Sequence, residues 1–462
     1  MKKFESAKRL IILGLSLIGL ALMTAVYAYT WFYVYYTPTI RWRLKFYFRG
    51  HVIVLLIYFV LLLFFSMTYG GTKVGYLKGT DVFFSQVFSL LAVNVITYFQ
   101  VSLMANWVVA VPPMIEMTLL QFVIAGGWTF LCNRLYHRLY PPRKLLLVYG
   151  ERDVADIMAK FQSRTDKYAV KETISISEGM DAVREKAVSG MFEAVVLWDI
   201  PAKERNHLMK YCYAHSVRIY FMPKITDVLV KGSEQLNLFD TPIFLIREYE
   251  LTVEQRFVKR CIDLFFSLLL LVITSPFMLI TAIAVKLYDG GPVLYKQIRC
   301  TRGERPFHIL KFRSMRVDAE KDGVARLSSK NDDRITPVGK IIRKVRLDEL
   351  PQLINILKGD MSFIGPRPER PEIIEQYKKE MPEFVYRMKV KAGLAGYAQV
   401  YGKYNTTPYD KLKLDLTYIE NYTVWMDVKL MLLTLKILFV PESTEGVEEG
   451  QTTAMKDSTK EK

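Results

Sequence analysis

Residues 264–285 read LFFSLLLLVITSPFMLITAIAV, 22 consecutive positions without a charge, and the fold turns on what Ser275-Pro276 does in their middle. About 20 apolar residues are enough for a helix to span a bilayer. Proline removes a helix hydrogen bond and clashes with the preceding turn, so a kink is expected at Pro276. Basic residues flank both ends, Lys259 and Arg260 before, Lys286, Lys296 and Arg299 after. A full crossing would carry the basic remainder of the chain outside. A helix that dips in, breaks and returns keeps both flanks cytoplasmic, and this re-entrant arrangement is the expectation. An ordinary kinked fifth span is the alternative.

Upstream lie four more uncharged runs, 10–40, 52–72, 82–115 and 117–133. Each is read as one spanning helix, because backbone in lipid must satisfy its own hydrogen bonds. Met1-Lys2-Lys3 and Val26-Tyr27-Ala28 would also suit a cleaved signal peptide. The first run continues past that site into Trp31, Phe32 and Tyr33, an aromatic belt suited to a membrane interface. Arg134, Arg138, Arg143 and Lys144 favour a cytoplasmic exit after the fourth span, and an even number of spans puts both ends inside. The first loop is an exception: Arg41, Arg43, Lys45 and Arg49 balance Lys2, Lys3, Lys8 and Arg9.

Composition agrees with a membrane protein. The 462 residues are 51% hydrophobic, which excludes a disordered polymer, and the net charge of +17 is confined to segments between the apolar runs. Cys132, Cys212, Cys261 and Cys300 form no C-x-x-C pair, so neither a disulfide framework nor a zinc site is indicated. With five His and no H-E-x-x-H, a metal would sit on oxygen ligands.

Between residues 144 and 250 the texture becomes α/β. Short apolar runs at 145–149, 194–198, 217–221 and 243–246 alternate with helical patterns such as 154–161. This βαβ rhythm resembles half of a nucleotide-binding doubly wound fold. Gly150-Glu151-Arg152 offers one glycine where a pyrophosphate loop needs three, so a packing or regulatory module is expected rather than a dinucleotide site.

The densest cluster of candidate site residues runs from Lys311 to Arg367. It contains Lys311-Phe312-Arg313, Asp318, Glu320, Asp332-Asp333-Arg334, Arg343, Arg346, Leu347-Asp348-Glu349-Leu350-Pro351-Gln352-Leu353 and Gly365-Pro366-Arg367-Pro368. Arginine forks match phosphate oxygens, so several arginines around one carboxylate pair suit a polyanionic substrate with a divalent ion. An isolated Asp-Glu pair would more often mark a helix start. Here Asp348 and Glu349, about 100° apart on a helix, point to different places, so one can act as nucleophile while the other holds a metal. Leu350, Leu353, Ile354 and Leu357 have the spacing to anchor that helix in a core. Pro366 and Pro368 stiffen the backbone around Arg367. Residues 426–440 read as a helix lying in the membrane interface, and 441–462 as a disordered tail.

Five blocks occur in the order seen in bacterial sugar transferases: Gly291-Pro292-Val293-Leu294-Tyr295-Lys296-Gln297, Lys311-Phe312-Arg313-Ser314-Met315, the Leu347–Leu353 block above, Lys358-Gly359-Asp360-Met361-Ser362 with Gly365-Pro366-Arg367-Pro368, and Gly393-Leu394-Ala395-Gly396-Tyr397-Ala398-Gln399-Val400. The chain therefore resembles the monotopic-type phosphoglycosyl transferases over residues 255–440. With four spans and a degenerate Rossmann-like α/β module ahead, it looks like the long subgroup, similar to undecaprenyl-phosphate galactose or glucose phosphotransferases. The expected order is a transmembrane region at 1–140, the α/β module at 141–254, the re-entrant helix at 255–290, an α/β catalytic domain at 291–440, and the tail.

The resemblance implies that Asp348 attacks the β-phosphorus of a UDP-sugar, releases UMP and holds a sugar phosphate that undecaprenyl phosphate then takes. It implies that Glu349 binds Mg²⁺, and that Lys311, Arg343 and Arg367, with Arg313 and Arg346 nearby, hold phosphate charge. Ser275 and Pro276 match the break of the family's re-entrant helix, which puts the site at the cytoplasmic face of a bacterial inner membrane. A homodimer is implied only loosely. Ala392 stands where many members have proline, Arg346 where Ser or Thr is frequent, and Asp415 matches a motif without an assigned role. A non-catalytic scaffold binding polyanionic lipid or nucleotide is the rival reading. Nucleic-acid binding lacks any recognisable motif, and juxtamembrane lysines and arginines account for the charge.

Overall fold

The computed structural model describes residues 7–42, 45, 47–152, 154–246, 251–317, 334–402 and 406–437. Asp318, Glu320, Asp332, Asp333 and the 441–462 tail lie outside the described residues. The chain divides into two compact units, Met1–Met222 and Pro223–Lys462.

In the first unit, α1 (Lys8–Thr30) widens into a π-helical stretch, Trp31–Ile40, and is followed by α2 (Phe48–Tyr69), α3 (Gly79–Ala105) and α4 (Pro112–Leu139). All four are long and apolar enough to cross a membrane. Helices α2 and α4 extend past their uncharged runs into Arg49 and into Arg134 and Arg138, and the largest departure lies between α3 and α4. The run 82–115 contains the end of α3 and the start of α4, because Asn106 takes a left-handed conformation at the α3 terminus and Pro112 opens α4. Charge does not mark that turn. Trp31 is fully buried and donates from Nε1 to His51 Nδ1 at 3.2 Å, so the first residue of the expected aromatic belt faces inward. A polar cluster pins the helices: Asn94 Nδ2 donates to Thr118 Oγ1 and Gln121 Oε1, and Gln121 Nε2 donates to Tyr58 OH and Met23 O.

The same unit continues with β1 (Arg143–Tyr149), α5 (Ala155–Gln162), β2 (Tyr168–Ser175), α6 (Met180–Val188), β3 (Ala194–Trp198), α7 (Ala202–Ala214) and β4 (Arg218–Phe221). The strands form a parallel sheet in the order β2-β1-β3-β4, with crossover helices as parallel strands require. Central β3 is buried at every position, which explains its unbroken apolar run. Edge strand β2 reads YAVKETIS, and the polar residues in it kept it out of the apolar pattern. Gly150 is required by packing: a Cβ there would lie 2.3 Å from Asp199 O. Its N–H donates to Trp198 O at 3.0 Å, so its backbone is committed to the neighbouring strand.

The second unit opens with α8 (Ile225–Gly232) and an antiparallel hairpin, β5 (Glu234–Leu238) and β6 (Thr241–Leu245). Helix α9 (Val253–Asp289) follows, capped by Thr252, whose hydroxyl accepts from Gln255 N while Gln255 Oε1 accepts from Thr252 N. It runs as one helix through Ser275-Pro276, where an interruption was expected. The carbonyl deprived of a donor by Pro276 is that of Val272, four residues back. Ser275 Oγ donates to that same carbonyl at 2.8 Å, so the oxygen freed by Pro276 is satisfied and a bend there leaves it paired. The midsection is exposed at Leu268, Leu269, Val272, Ile273, Phe277, Leu279, Ile280 and Ile283.

Both ends of α9 are fastened to the α/β core of this unit. Lys259 Nζ, though buried, donates to Ile364 O at 2.8 Å, Tyr418 OH at 3.1 Å and Asp427 Oδ2 at 2.6 Å. Asp263 Oδ1 accepts from Phe363 N and Ser362 Oγ. At the other end Val285 packs with Phe312 and Ile342. The core then comprises the hairpin β7 (Leu294–Cys300) and β8 (Pro306–Phe312), α10 (Pro337–Lys344), a 3₁₀ turn (Leu347–Glu349), α11 (Gln352–Lys358), β9 (Ser362–Ile364), α12 (Pro371–Glu380), β10 (Gly393–Ala395), α13 (Tyr397–Tyr401), α14 (Pro408–Glu420) and α15 (Val424–Ile437). Strands β9 and β10 are parallel. Helix α15, expected to lie in the interface, buries Asp427, Leu430 and Leu433; Leu430 belongs to the main apolar cluster of this unit.

Candidate active site

Strand alternation decides which basic residues of the hairpin reach the site. Lys311 on β8 pairs in register with Tyr295, and Tyr295, Gln297 and Arg299 share a face of β7 because side chains repeat every second residue. Lys296 stands on the other face and is exposed. Lys296 and Arg299, two of the three cations that follow the apolar segment, therefore serve different surroundings.

The acid pair lies on a 3₁₀ turn, Leu347–Glu349, ahead of α11, not on the α-helix itself. Three residues per turn separate Asp348 from Glu349 by about 120° rather than 100°. The reason is local: Arg346 adopts φ +55° and turns the chain between α10 and the acids. Leu353 and Ile356 of α11 are buried and anchor the turn from behind. Arg260 Nη1 and Nη2 donate to Ile356 O at 2.6 Å and Leu357 O at 2.7 Å, so the far end of α11 is held by a cation suited to its dipole.

Glu349 gathers the cations. Its Oε1 accepts from Lys311 Nζ at 3.2 Å and from Arg367 Nη2 at 3.0 Å, and its Oε2 lies 3.9 Å from Arg346 Nη1. Burial alone would raise its pKa, but Lys311, Arg367 and Arg346 outweigh that and hold the carboxyl below the usual range. Asp348, 9% exposed, is pushed up to about 6 by burial and by the negative charge of Glu349, against the pull of Lys311, Arg343 and Arg367. Burial lowers the Lys311 ammonium, opposed by Glu349. One carboxylate is thus fixed as an anion while its neighbour is poised near neutrality.

Of the expected site residues, Lys311, Arg346 and Arg367 converge on Glu349, and Arg343 on α10 acts on Asp348 through its charge. Arg313 is buried and ion-paired with Asp289 at the end of α9. Ala392 is buried, and its N–H donates to Thr301 Oγ1 at 3.1 Å, a bond that proline could not make. Asp415 pairs with Arg387 at 2.8 Å, both side chains nearly inaccessible. Arg387 and Glu369 escaped the sequence reading. The available signal was Asp415 itself, an acid between leucines on a helix whose neighbours Leu412, Leu416 and Ile419 are core residues.

Among the described residues no group of three or more His, Cys, Asp or Glu could hold a metal. Asp348 and Glu349 alone make too small a donor set for a dedicated metal cage. Glu349 would suit Mg²⁺ only in the manner that ion commonly adopts, as one carboxylate completed by water and substrate phosphate oxygens.

An α/β unit attached to a helix long and apolar enough to cross a membrane, with an acid pair under several cations, is the arrangement of a membrane protein with a charged site. A family model described as bacterial sugar transferase matches residues 254–441, and the chain belongs to that family. It is 36% identical over 251 residues to the UDP-N-acetylgalactosamine-undecaprenyl-phosphate N-acetylgalactosaminephosphotransferase of Aeromonas hydrophila, covering 52% of this chain and 56% of that one. It is 38% identical over 214 residues to the UDP-glucose:undecaprenyl-phosphate glucose-1-phosphate transferase of Escherichia coli (strain K12), covering 45% and 46%. A Caulobacter vibrioides protein of the same printed name is 37% identical over 190 residues, 40% of this chain and 71% of the relative. The chain thus spans about half the length of the first two relatives.

Proposed function

We propose that this protein transfers a sugar 1-phosphate from a UDP-sugar to undecaprenyl phosphate in two displacements on Asp348. The observation that carries the reading is a buried aspartate beside a glutamate held anionic by Lys311 and Arg367. In the first step an Asp348 carboxylate oxygen bonds to the β-phosphorus, the bond from that phosphorus to the bridging oxygen breaks, and UMP leaves with the electron pair. In the second, a phosphate oxygen of the lipid attacks the same phosphorus and expels the Asp348 carboxylate, giving the lipid diphosphate sugar. Lys311 and Arg367 face the charge that moves onto the departing phosphate, and Arg343 and Arg346 extend that positive surface. Mg²⁺ held through Glu349 would neutralise diphosphate oxygens.

The membrane arrangement belongs to the same proposal. Four spans precede a Rossmann-like module without a dinucleotide site, and α9 enters the bilayer, bends at Pro276 and returns, so that the catalytic unit faces the cytoplasm of a bacterial inner membrane. Support comes from the fastening of both ends of α9 to one core while its midsection stays exposed and apolar. The test uses membranes containing the full chain, undecaprenyl phosphate, Mg²⁺ and a panel of UDP-sugars, with mass-resolved lipid product and UMP as readouts. Asp348→Asn is expected to abolish both while protein level and insertion stay normal. Turnover at the wild-type level in that variant would sink the mechanism on Asp348, and absence of turnover in the wild type would leave the protein a polyanion-binding scaffold.

A further inference from the structure

Arg367 is carried by a short segment between β9 and α12, and every carbonyl from residue 366 to residue 369 is held by a donor. Pro366 O accepts from Gly393 N at 2.9 Å and Glu369 O from Cys300 N at 3.0 Å. The two carbonyls between them are held by side chains: Arg367 O accepts from Arg387 Nη2, and Pro368 O from Arg299 Nη1, both at 3.1 Å. The segment has little freedom of its own, because two of its four residues are prolines. Before it, Gly365 passes so close to the chain ahead of β10 that a Cβ would lie 2.4 Å from Lys391 O.

The two arginines are themselves locked. Asp415 Oδ2 receives Arg387 Nε at 2.9 Å and Nη2 at 2.8 Å. Glu369 bridges the pair, with Oε1 3.5 Å from Arg387 Nη1 and Oε2 3.7 Å from Arg299 Nη1. Gln297 Oε1 accepts from Arg299 Nε at 2.9 Å and Nη2 at 2.7 Å. Burying Arg387 and Asp415 at 3% and 1% side-chain exposure is costly, and replacing such pairs with apolar residues is often neutral or stabilising. Packing alone is therefore a weak reason for them. By contrast, the Arg367 side chain is 44% exposed and bonds Glu349.

We propose that Arg387 and Arg299, locked by Asp415, Glu369 and Gln297, are positioning residues that hold the Arg367 backbone so that its guanidinium stays aimed at the reacting phosphate. This rests on the transfer reading above and gives Asp415 a role. A one-ångström shift of a positioned cation costs turnover more than binding, because its contact strengthens as charge moves in the transition state.

The test is a double-mutant cycle with Arg387→Lys and Arg367→Ala, following UMP release by full-length protein in membranes. Arg387→Lys is expected to lower kcat about tenfold with KM for the UDP-sugar changed less than about twofold. In the Arg367→Ala background the same substitution should change kcat by less than about twofold, because the group it positions is gone. An equal loss in both backgrounds, or a loss confined to KM, would overturn the proposal. If Arg387→Lys reduces the yield of folded protein, Arg299→Lys carries the same cycle with the Arg387–Asp415 pair intact. Wild-type protein that releases no UMP would instead sink the transfer reading, so the two failures are distinct.

Discussion

Asp348 and Glu349 are adjacent and yet driven in opposite directions, because Glu349 takes the ion pairs while Asp348 keeps the cost of burial and of its neighbour's charge. A carboxyl raised to about 6 is still an anion at neutral pH, and a more basic one than an ordinary aspartate, which favours it as a nucleophile. The sign follows from the active form being the anion: activity is full above the raised pKa and lost as pH falls through it. Release of UMP should therefore be half-maximal near the raised value of about 6 and about a tenth of maximal one pH unit lower. Glu349, held low, contributes no limb in that window. A pH profile of kcat/KM measures this directly, and an acid limb near about 4, the ordinary aspartate value, would mean that burial does not govern the nucleophile. The acid pair itself was readable from Leu347-Asp348-Glu349-Leu350-Pro351. The opposite shifts were not, because they depend on Lys311 and Arg367, 38 and 18 residues away in sequence from Glu349.

Among the elements, α9 shows what the sequence could and could not reveal. Its apolar character was plain in residues 264–285, while its cap at Thr252 and Gln255 emerged only from the structure. Its helical assignment through Pro276 was not plain, since the carbonyl that the proline frees is satisfied by a serine hydroxyl placed one residue before it. Lys259 and Arg260 read naturally as lipid-facing flanks, but both turn into the core, a distinction that charge alone cannot make. The consequence is energetic. Lys259 is 8% and Asp427 3% exposed, and Tyr418 and Tyr422 also donate to Asp427. Removing the lysine would leave a buried carboxylate without its countercharge, at a cost of about 3–5 kcal/mol. Lys259→Met is therefore expected to lower the thermal midpoint of the detergent-solubilised protein well below that of the wild type. The exposed substitution Lys379→Met, which touches none of these groups, should leave it unchanged. Equal midpoints for wild type and Lys259→Met would show that the ion pair does not hold α9 to its core.

For the whole molecule, composition and uncharged runs located four N-terminal helices and a fifth apolar segment, while the parallel sheet was legible only in its apolar strands. Edge strand β2 was hidden by its own Lys171 and Glu172. What neither composition nor helix length decides is the side of the membrane reached by each end of α9. A 37-residue helix at about 1.5 Å per residue is long enough to cross a bilayer with length to spare. Yet a crossing would require one core to be gripped from both membrane faces, since Lys259 binds Asp427 near the start of α9 and Val285 packs on Phe312 and Ile342 near its end. Those contacts favour a helix that returns to its side of entry. Single cysteines at Arg256, before the apolar segment, and at Lys379 on α12 are both exposed positions and report the two sides of that segment. The background requires Cys261→Ser, because Cys261 is exposed while Cys132, Cys212 and Cys300 are buried. Impermeant maleimide added to spheroplasts should label neither site, and inverted membrane vesicles should label both. Labelling of one site in each preparation would establish a full crossing, and with it a catalytic unit on the opposite side of the membrane from the start of α9.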